Sequence, residues 1–430
     1  MPPHTRLPRR ELVLLLLAAA SMQALAWATL LLLFSRGLMG YGLHQLSDAM
    51  LYQFYAARIL AGEWPYADVP VEYPPLATLV FLLAPSGTTV AAYERWFSTA
   101  MVVASIAAAV LTTATAAVFW RSLPRPLAVA GAYVAMTLCC GALAANKYDA
   151  VVAVAVAAGL LFMALRAWVP ASISLGLGFA LKFTPALLLP LVVLLADTRK
   201  HRMLAIAGFV IAAATPFVPF LLHDASSVGY PFSYHAQRPL QLESVLAAPF
   251  LISTLTGSEL RVASAYGSQN VTGTTADTVA RLSPWLTAVV IVGVYTLVWR
   301  RRSALRRSPE LVPLAALALI LAAICTSKVL SPQFLVWTFP LVALVVVLPS
   351  RLAKASAVSS MLALLLTQVE FPARYWRVVA LDPGPVSIVV ARNVVLVGAA
   401  VLAVLALSRA APSSGRAREP ATSVAPIARS

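Results

Sequence analysis

The stretch LVPLAALALILAAICTSKVLSPQFLVWTFPLVALVVVLP, residues 311–349, decides the fold class. Its only charged residue is Lys328. It reads as two apolar runs, 311–327 and 332–349, whose lengths at about 1.5 Å per helical residue suit a hydrocarbon layer of about 30 Å. Arg300–Arg302, Arg306 and Arg307 precede the pair, and Arg351 and Lys354 follow it. Basic clusters collect on the cytoplasmic side of a membrane, so both outer flanks of this hairpin face inward and Lys328 faces outward.

The same pattern extends along the chain. Further spans read as 12–34, 93–120, 127–145, 150–168, 170–181, 183–196, 203–222, 283–299, 354–370 and 386–408. That gives an all-α polytopic membrane protein of about twelve spans with both termini cytoplasmic. Ala24-Leu25-Ala26 could pass for a signal-peptidase site, but the run continues through Phe34, so an uncleaved first helix is expected. The segments 170–181 and 183–196 are too short to cross upright; they read as one broken pair with Lys182-Phe183-Thr184-Pro185 at its tip. Residues 1–408 are expected to form one membrane-embedded domain with two long outer loops, 35–92 and 223–282. The Ser/Pro/Ala/Arg-rich tail 409–430 is expected to be disordered and cytoplasmic.

Composition agrees. Hydrophobic residues make up 60% of the 430 and charged residues 11%, against about 25% charged in a soluble domain. A mean hydropathy of +0.84 excludes a cytosolic enzyme or a secreted domain. The net charge of +16 is not a nucleic-acid footprint: the whole excess falls on segments assigned to the inside. Arg outnumbers Lys by 27 to 5, which with abundant Ala and Pro suggests a high-GC bacterium. Cys139, Cys140 and Cys325 lie in apolar runs without disulfide or zinc spacing.

The outer loops hold most of the chemistry. Ser47–Leu60 reads as an amphipathic helix at the membrane surface, capped by Ser47 and ended before Gly62, with Asp48, Tyr52, Tyr55 and Ile59 on one face. Trp64, Tyr66 and Tyr73 suit the headgroup level, and Pro75 can start a further short helix, 76–84. Glu63 and Asp68 read as solvated loop charges. Asp68 and Glu72 could hold a divalent cation such as Mg²⁺, but four residues apart in a Pro-bounded loop they form no specific ligand pattern, so no metal or other cofactor is expected.

Asp48 with Tyr52, Gly62-x-x-Pro65-Tyr66 and Glu72-Tyr73-Pro74-Pro75 together resemble the first outer loop of glycosyltransferase family 87, bacterial and largely actinobacterial membrane enzymes of the GT-C fold class. Leu181-Lys182-Phe183-Thr184-Pro185, Tyr234-His235-Ala236-Gln237-Arg238-Pro239-Leu240-Gln241-Leu242-Glu243-Ser244 and Ser331-Pro332-Gln333-Phe334 fit the same family in order and spacing. The resemblance implies a GT-C-like fold. It also implies transfer of a hexose, mannose by the family's habit, from a polyprenyl-phosphate sugar to a cell-envelope glycolipid or glycan at the outer face of the plasma membrane. The partners it implies are that donor, the acceptor and membrane lipids, with no nucleic acid.

Such a transfer needs a base for the acceptor hydroxyl and cations for the leaving phosphate. Asp48 is the candidate base by its place in the motif. Lys182, His235 and Arg238 are candidate phosphate contacts, and Tyr52, Glu72, Tyr73, Asp149 and Glu243 candidate substrate contacts. Plainer readings stand beside these. Asp149 also suits a helix start, His235 a solvated loop, and Glu243 an ion pair with Arg238. Lys147, Lys182 and Lys328 are three of only five lysines and all fall at predicted outer helix ends, where Lys also serves as an interfacial anchor. Arg392, inside the last span, is expected to snorkel outward. The competing function class is a lipid or solute transporter, which would show symmetry-related broken helices and midplane charges; this sequence has one broken pair and charges at span ends.

Overall fold

The computed structural model of the chain describes residues 7–85, 87 and 89–410. The predicted tail thus lies almost wholly outside the described residues. Among these, seven helices are long and apolar enough to cross a membrane: Arg9–Ser35, Val90–Phe119, Arg199–Asp224, Thr274–Arg307, Pro309–Thr326, Arg351–Glu370 and Pro383–Ser408. Shorter helices, among them Pro124–Cys140, Asp149–Ala164 and Trp168–Leu181, pack between them. In a medium without water the backbone must satisfy its own hydrogen bonds, which is why apolar runs of this length become helices.

Burial sorts the helices. Val312–Thr326 is apolar on every side and enclosed on every side. Thr274–Arg307 is instead largely unburied, and it presents Trp285, Val289 and Val292 outward, a lipid-facing surface. Trp168–Leu181 lies close against Arg199–Ala214: a Cβ at Gly176 would stand 2.6 Å from the Phe209 carbonyl. Small residues permit that approach where lipid supplies no hydrophobic drive.

Two interruptions matter for the site. The span predicted at 127–145 stops at Cys140, because Gly141 takes φ +58° with the Tyr41 and Gln368 side chains pressed against it. A single turn, Leu143–Asn146, then leads to Lys147 in extended conformation and to the helix Asp149–Ala164. The second break follows Leu181. Lys182 is extended, and Pro185 starts a 3-10 turn, Thr184–Leu188, before the helix Leu189–Leu195.

The outer loops differ from expectation in detail. The first surface helix spans Ala49–Leu60, with the Ser47 hydroxyl accepting from the Ala49 N–H at 3.0 Å. Its Tyr52 and Tyr55 face pack inward, Tyr52 stacking on Phe81 at 4.4 Å, while Met50, Phe54 and Leu60 stay exposed. The short helix predicted at 76–84 spans Pro75–Phe81. In the second loop the helix Thr274–Arg307 starts well before the predicted 283. The loop also holds a short antiparallel hairpin, Val262–Ala265 with Ser268–Val271, within the otherwise helical fold. Tyr266 and Gly267 both take positive φ at its tip, +53° and +63°, the two-residue turn that matches strand twist.

Candidate active site

These loops and breaks surround a cavity of about 420 Å³. It collects Asp48, Glu72, Tyr73, Lys182, His235, Arg238 and Glu243 from four separate parts of the chain. Tyr52 and Asp149 do not line it; they stand directly behind residues that do.

On the side of the first loop both lysines are matched by carboxylates. One Asp48 oxygen accepts from Lys147 Nζ at 2.5 Å, and the other from the Tyr52 hydroxyl at 3.2 Å. Lys147 also donates to the Leu46 carbonyl at 2.8 Å. Both residues line the cavity; the Lys147 side chain is 5% exposed and that of Asp48 28%, so the carboxylate presents the more accessible surface. Asp149 is fully buried; its Oδ1 accepts from Lys182 Nζ and from Trp337 Nε1, both at 2.6 Å. Lys182 sits in a cage of rings, 4.8 Å from the centre of Tyr148 and 5.0 Å from those of Phe334 and Trp337, contacts that stabilise a desolvated cation. Glu72 accepts from the Tyr55 hydroxyl at 2.5 Å. Burial pushes its carboxyl above the usual range, against that hydrogen bond. Glu63 and Asp68 stay in the loop's own structure, Glu63 with Arg58 at 2.5 Å and Asp68 accepting from the Trp64 N–H at 2.8 Å.

On the side of the second loop the cations are unmatched. Arg238 donates to the Ser268 hydroxyl at 3.0 Å, and its Nε has no partner. Lys328 donates to the Ala236 carbonyl at 2.7 Å. Among the described residues neither forms an ion pair, and the pairing of Arg238 with Glu243 that the sequence allowed does not occur. Burial lowers the pKa of both, and Arg238 lowers that of Lys328 further. Two largely buried positive groups close enough to repel are an arrangement that an incoming anion would relieve. His235 lies beside them, edge-on to Phe183. Burial, then Arg238 and Lys182, hold its pKa down at about 4, so it is neutral near pH 7 and can offer a hydrogen bond but no charge.

The sequence of the second loop resembled that of a known family, and so did the first. A profile of glycosyltransferase family 87 matches residues 72–332, more than half of the chain. The chain belongs to glycosyltransferase family 87. It is therefore a multi-pass membrane glycosyltransferase, and its mainly helical, polytopic fold is the GT-C-like one expected with that family. No curated protein matches it in sequence. Among solved structures it is similar to ArnT from Cupriavidus metallidurans, solved with undecaprenyl phosphate bound, at 15% identity and a TM-score of 0.47. That match covers 90% of this chain and 76% of ArnT.

Several residues in and behind this cavity had only faint sequence signals. Lys147 and Lys328 were legible as scarce lysines at outer helix ends, yet equally so as anchors. Arg392 corrects an expectation: it does not snorkel but is 1% exposed, donating to the Glu243 carbonyl at 2.7 Å. Buried charge within an apolar run was the signal that could have marked it.

Proposed function

We propose that the chain transfers a hexose, mannose in the first instance, from a polyprenyl-phosphate sugar to a cell-envelope glycolipid or glycan at the outer face of a bacterial plasma membrane. The observation that carries this reading is the pair of unmatched cations, Arg238 and Lys328, lining one cavity with the Asp48 carboxylate. In this reading the two cations hold the donor phosphate, and neutral His235 adds a hydrogen bond to it. Lys182, already neutralised by Asp149, shapes the cavity and lends one N–H rather than a free charge. Fixed positive groups stabilise the negative charge that grows as the C1–O bond to phosphate breaks.

Asp48 takes the proton of the acceptor hydroxyl while that oxygen forms the new bond to C1, with inversion. Lys147 and Tyr52 hold the carboxylate in the orientation this requires. A positioned base of this kind contributes about 10²–10⁴ in rate. Glu72 and Tyr73 flank the same opening and contact substrate.

The test is transfer of labelled sugar from polyprenyl-phosphate mannose by the purified protein, with acceptor lipids supplied. Labelled glycolipid is the expected product. Movement of the donor lipid between leaflets without transfer would instead support the transporter class.

A further inference from the structure

A second group of charges lies deeper than the cation pair. Glu243 lines the cavity but is 2% exposed, and its Oε1 has no partner in the protein; Oε2 accepts from Gln241 Nε2 at 3.3 Å. Behind it, Arg392 leaves Nε and Nη1 without partners, and buried Glu370 leaves Oε1 without one. Glu370 and Arg392 both lie within electrostatic reach of Glu243. Phe371, the residue after Glu370, lines the cavity with Tyr375, their rings 5.4 Å apart edge to face.

Unsatisfied buried polar atoms cost about 1–3 kcal/mol each, and native proteins keep few of them without a purpose. Of these residues only Glu243 lines the cavity, and what would satisfy its Oε1 is constrained by charge and shape. A phosphate dianion has no hydrogen to donate to the unpartnered Glu243 Oε1. An apolar chain makes no hydrogen bonds. A neutral ring bearing several hydroxyls fits both needs, since it donates to Glu243 and lays a C–H face on Tyr375 or Phe371.

Position selects which ring. The Gln241 N–H donates to the Lys328 carbonyl at 2.9 Å, and Gln241 Oε1 accepts from the Leu330 N–H at 3.0 Å. These bonds tie the stretch 238–243 to 328–330, so the cation pair and Glu243 line the cavity from adjoining segments, and a ring bonded directly to a phosphate at Arg238 and Lys328 lies along the wall that carries Glu243.

We propose that Glu243, walled by Phe371 and Tyr375 and positioned by Arg392, is the subsite that binds the pyranose ring of the donor and sets which sugar is transferred. This rests on the function proposed above and assigns its sugar end.

The experiment compares two ligands on the full-length protein in lipid nanodiscs: polyprenyl phosphate and polyprenyl-phosphate mannose. Glu243→Gln is close to isosteric, and matched thermal unfolding midpoints would establish its fold. It should weaken the sugar-bearing ligand by about tenfold, the difference between a charged and a neutral hydrogen bond, and leave the sugarless one unchanged. Tyr375→Ala, on the cavity wall, should shift the same ratio in the same direction. A purely structural role would weaken both ligands equally, and that result overturns the proposal. So does an unchanged ratio in both variants, or a change confined to the acceptor's KM. If wild-type protein binds neither ligand, the proposal falls together with the function it rests on, a result distinct from failure of the ratio alone.

Discussion

The two sides of the cavity handle positive charge in opposite ways. On the first-loop side Lys147 and Lys182 are each held by a carboxylate, Asp48 and Asp149, at 2.5 and 2.6 Å. On the second-loop side Arg238 and Lys328 touch only neutral oxygens. Burying an unpaired cation is costly, and burying a pair is much less so. The matched side is therefore built to keep its own geometry, and the unmatched side to meet a charge from outside. The difference teaches that a basic residue in a cavity is not by itself a ligand contact; whether the protein has already neutralised it decides.

The largest effect should come from Asp48, whose carboxylate lines the cavity while held by Lys147 and Tyr52. Asp48→Asn keeps the shape and removes the base, so turnover should fall by roughly 10²–10⁴ with donor binding retained. Single-turnover transfer and donor binding, measured side by side, would separate the two. If more than about a tenth of the rate survives, the base lies elsewhere, with Glu72 the next candidate on the cavity wall.

The next effect concerns stability. Lys182→Ala strands buried Asp149 and empties the ring cage, and removal of one member of a buried pair costs about 3–5 kcal/mol. Arg238→Ala strands no charge and should cost far less. Unfolding of both variants in the same detergent would show whether matched and unmatched cations differ as described; equal losses would break the comparison.

The smallest effect is on pH dependence. His235 is held neutral down to about pH 4, whereas an unfolded histidine protonates near pH 6.5. Between those values the unfolded chain binds a proton that the folded chain does not. Stability contributed by this group is thus full above about pH 6.5 and declines as the pH falls towards 4. His235→Gln should flatten unfolding free energy across that window. A group charged in the folded state would instead give wild-type stability that rises on acidification.

Much of this was legible in the sequence because it rests on long apolar runs and short outer motifs. The hairpin at 311–349 and the broken pair around Lys182 announce themselves through hydropathy, charge and Pro185. Asp48, Glu72, Arg238 and Glu243 could be named from two loop motifs. Their partners could not be named, because pairing depends on which loops the breaks at Gly141 and Lys182 bring together. Asp48 meets Lys147 and Asp149 meets Trp337 across long separations in the chain. The hairpin at 262–271 is short and lacks strong alternation; its Tyr266-Gly267 turn was the available clue. Arg392 was misplaced because snorkelling is the usual fate of Arg near a span end, and nothing in the local sequence shows that the Glu243 carbonyl lies within reach.

The central claim is that unmatched Arg238 and Lys328 hold a lipid phosphate, and one measurement addresses it directly. Polyprenyl phosphate binding is titrated against the wild-type protein, Arg238→Gln/Lys328→Gln and Lys147→Gln, each checked for an intact fold. A hydrogen bond to a charged group is worth about 1.5–3 kcal/mol, so loss of both cations should weaken binding by about 100-fold or more, while Lys147→Gln changes it little. Undiminished affinity in the double variant, or an equal loss in Lys147→Gln, would contradict the account.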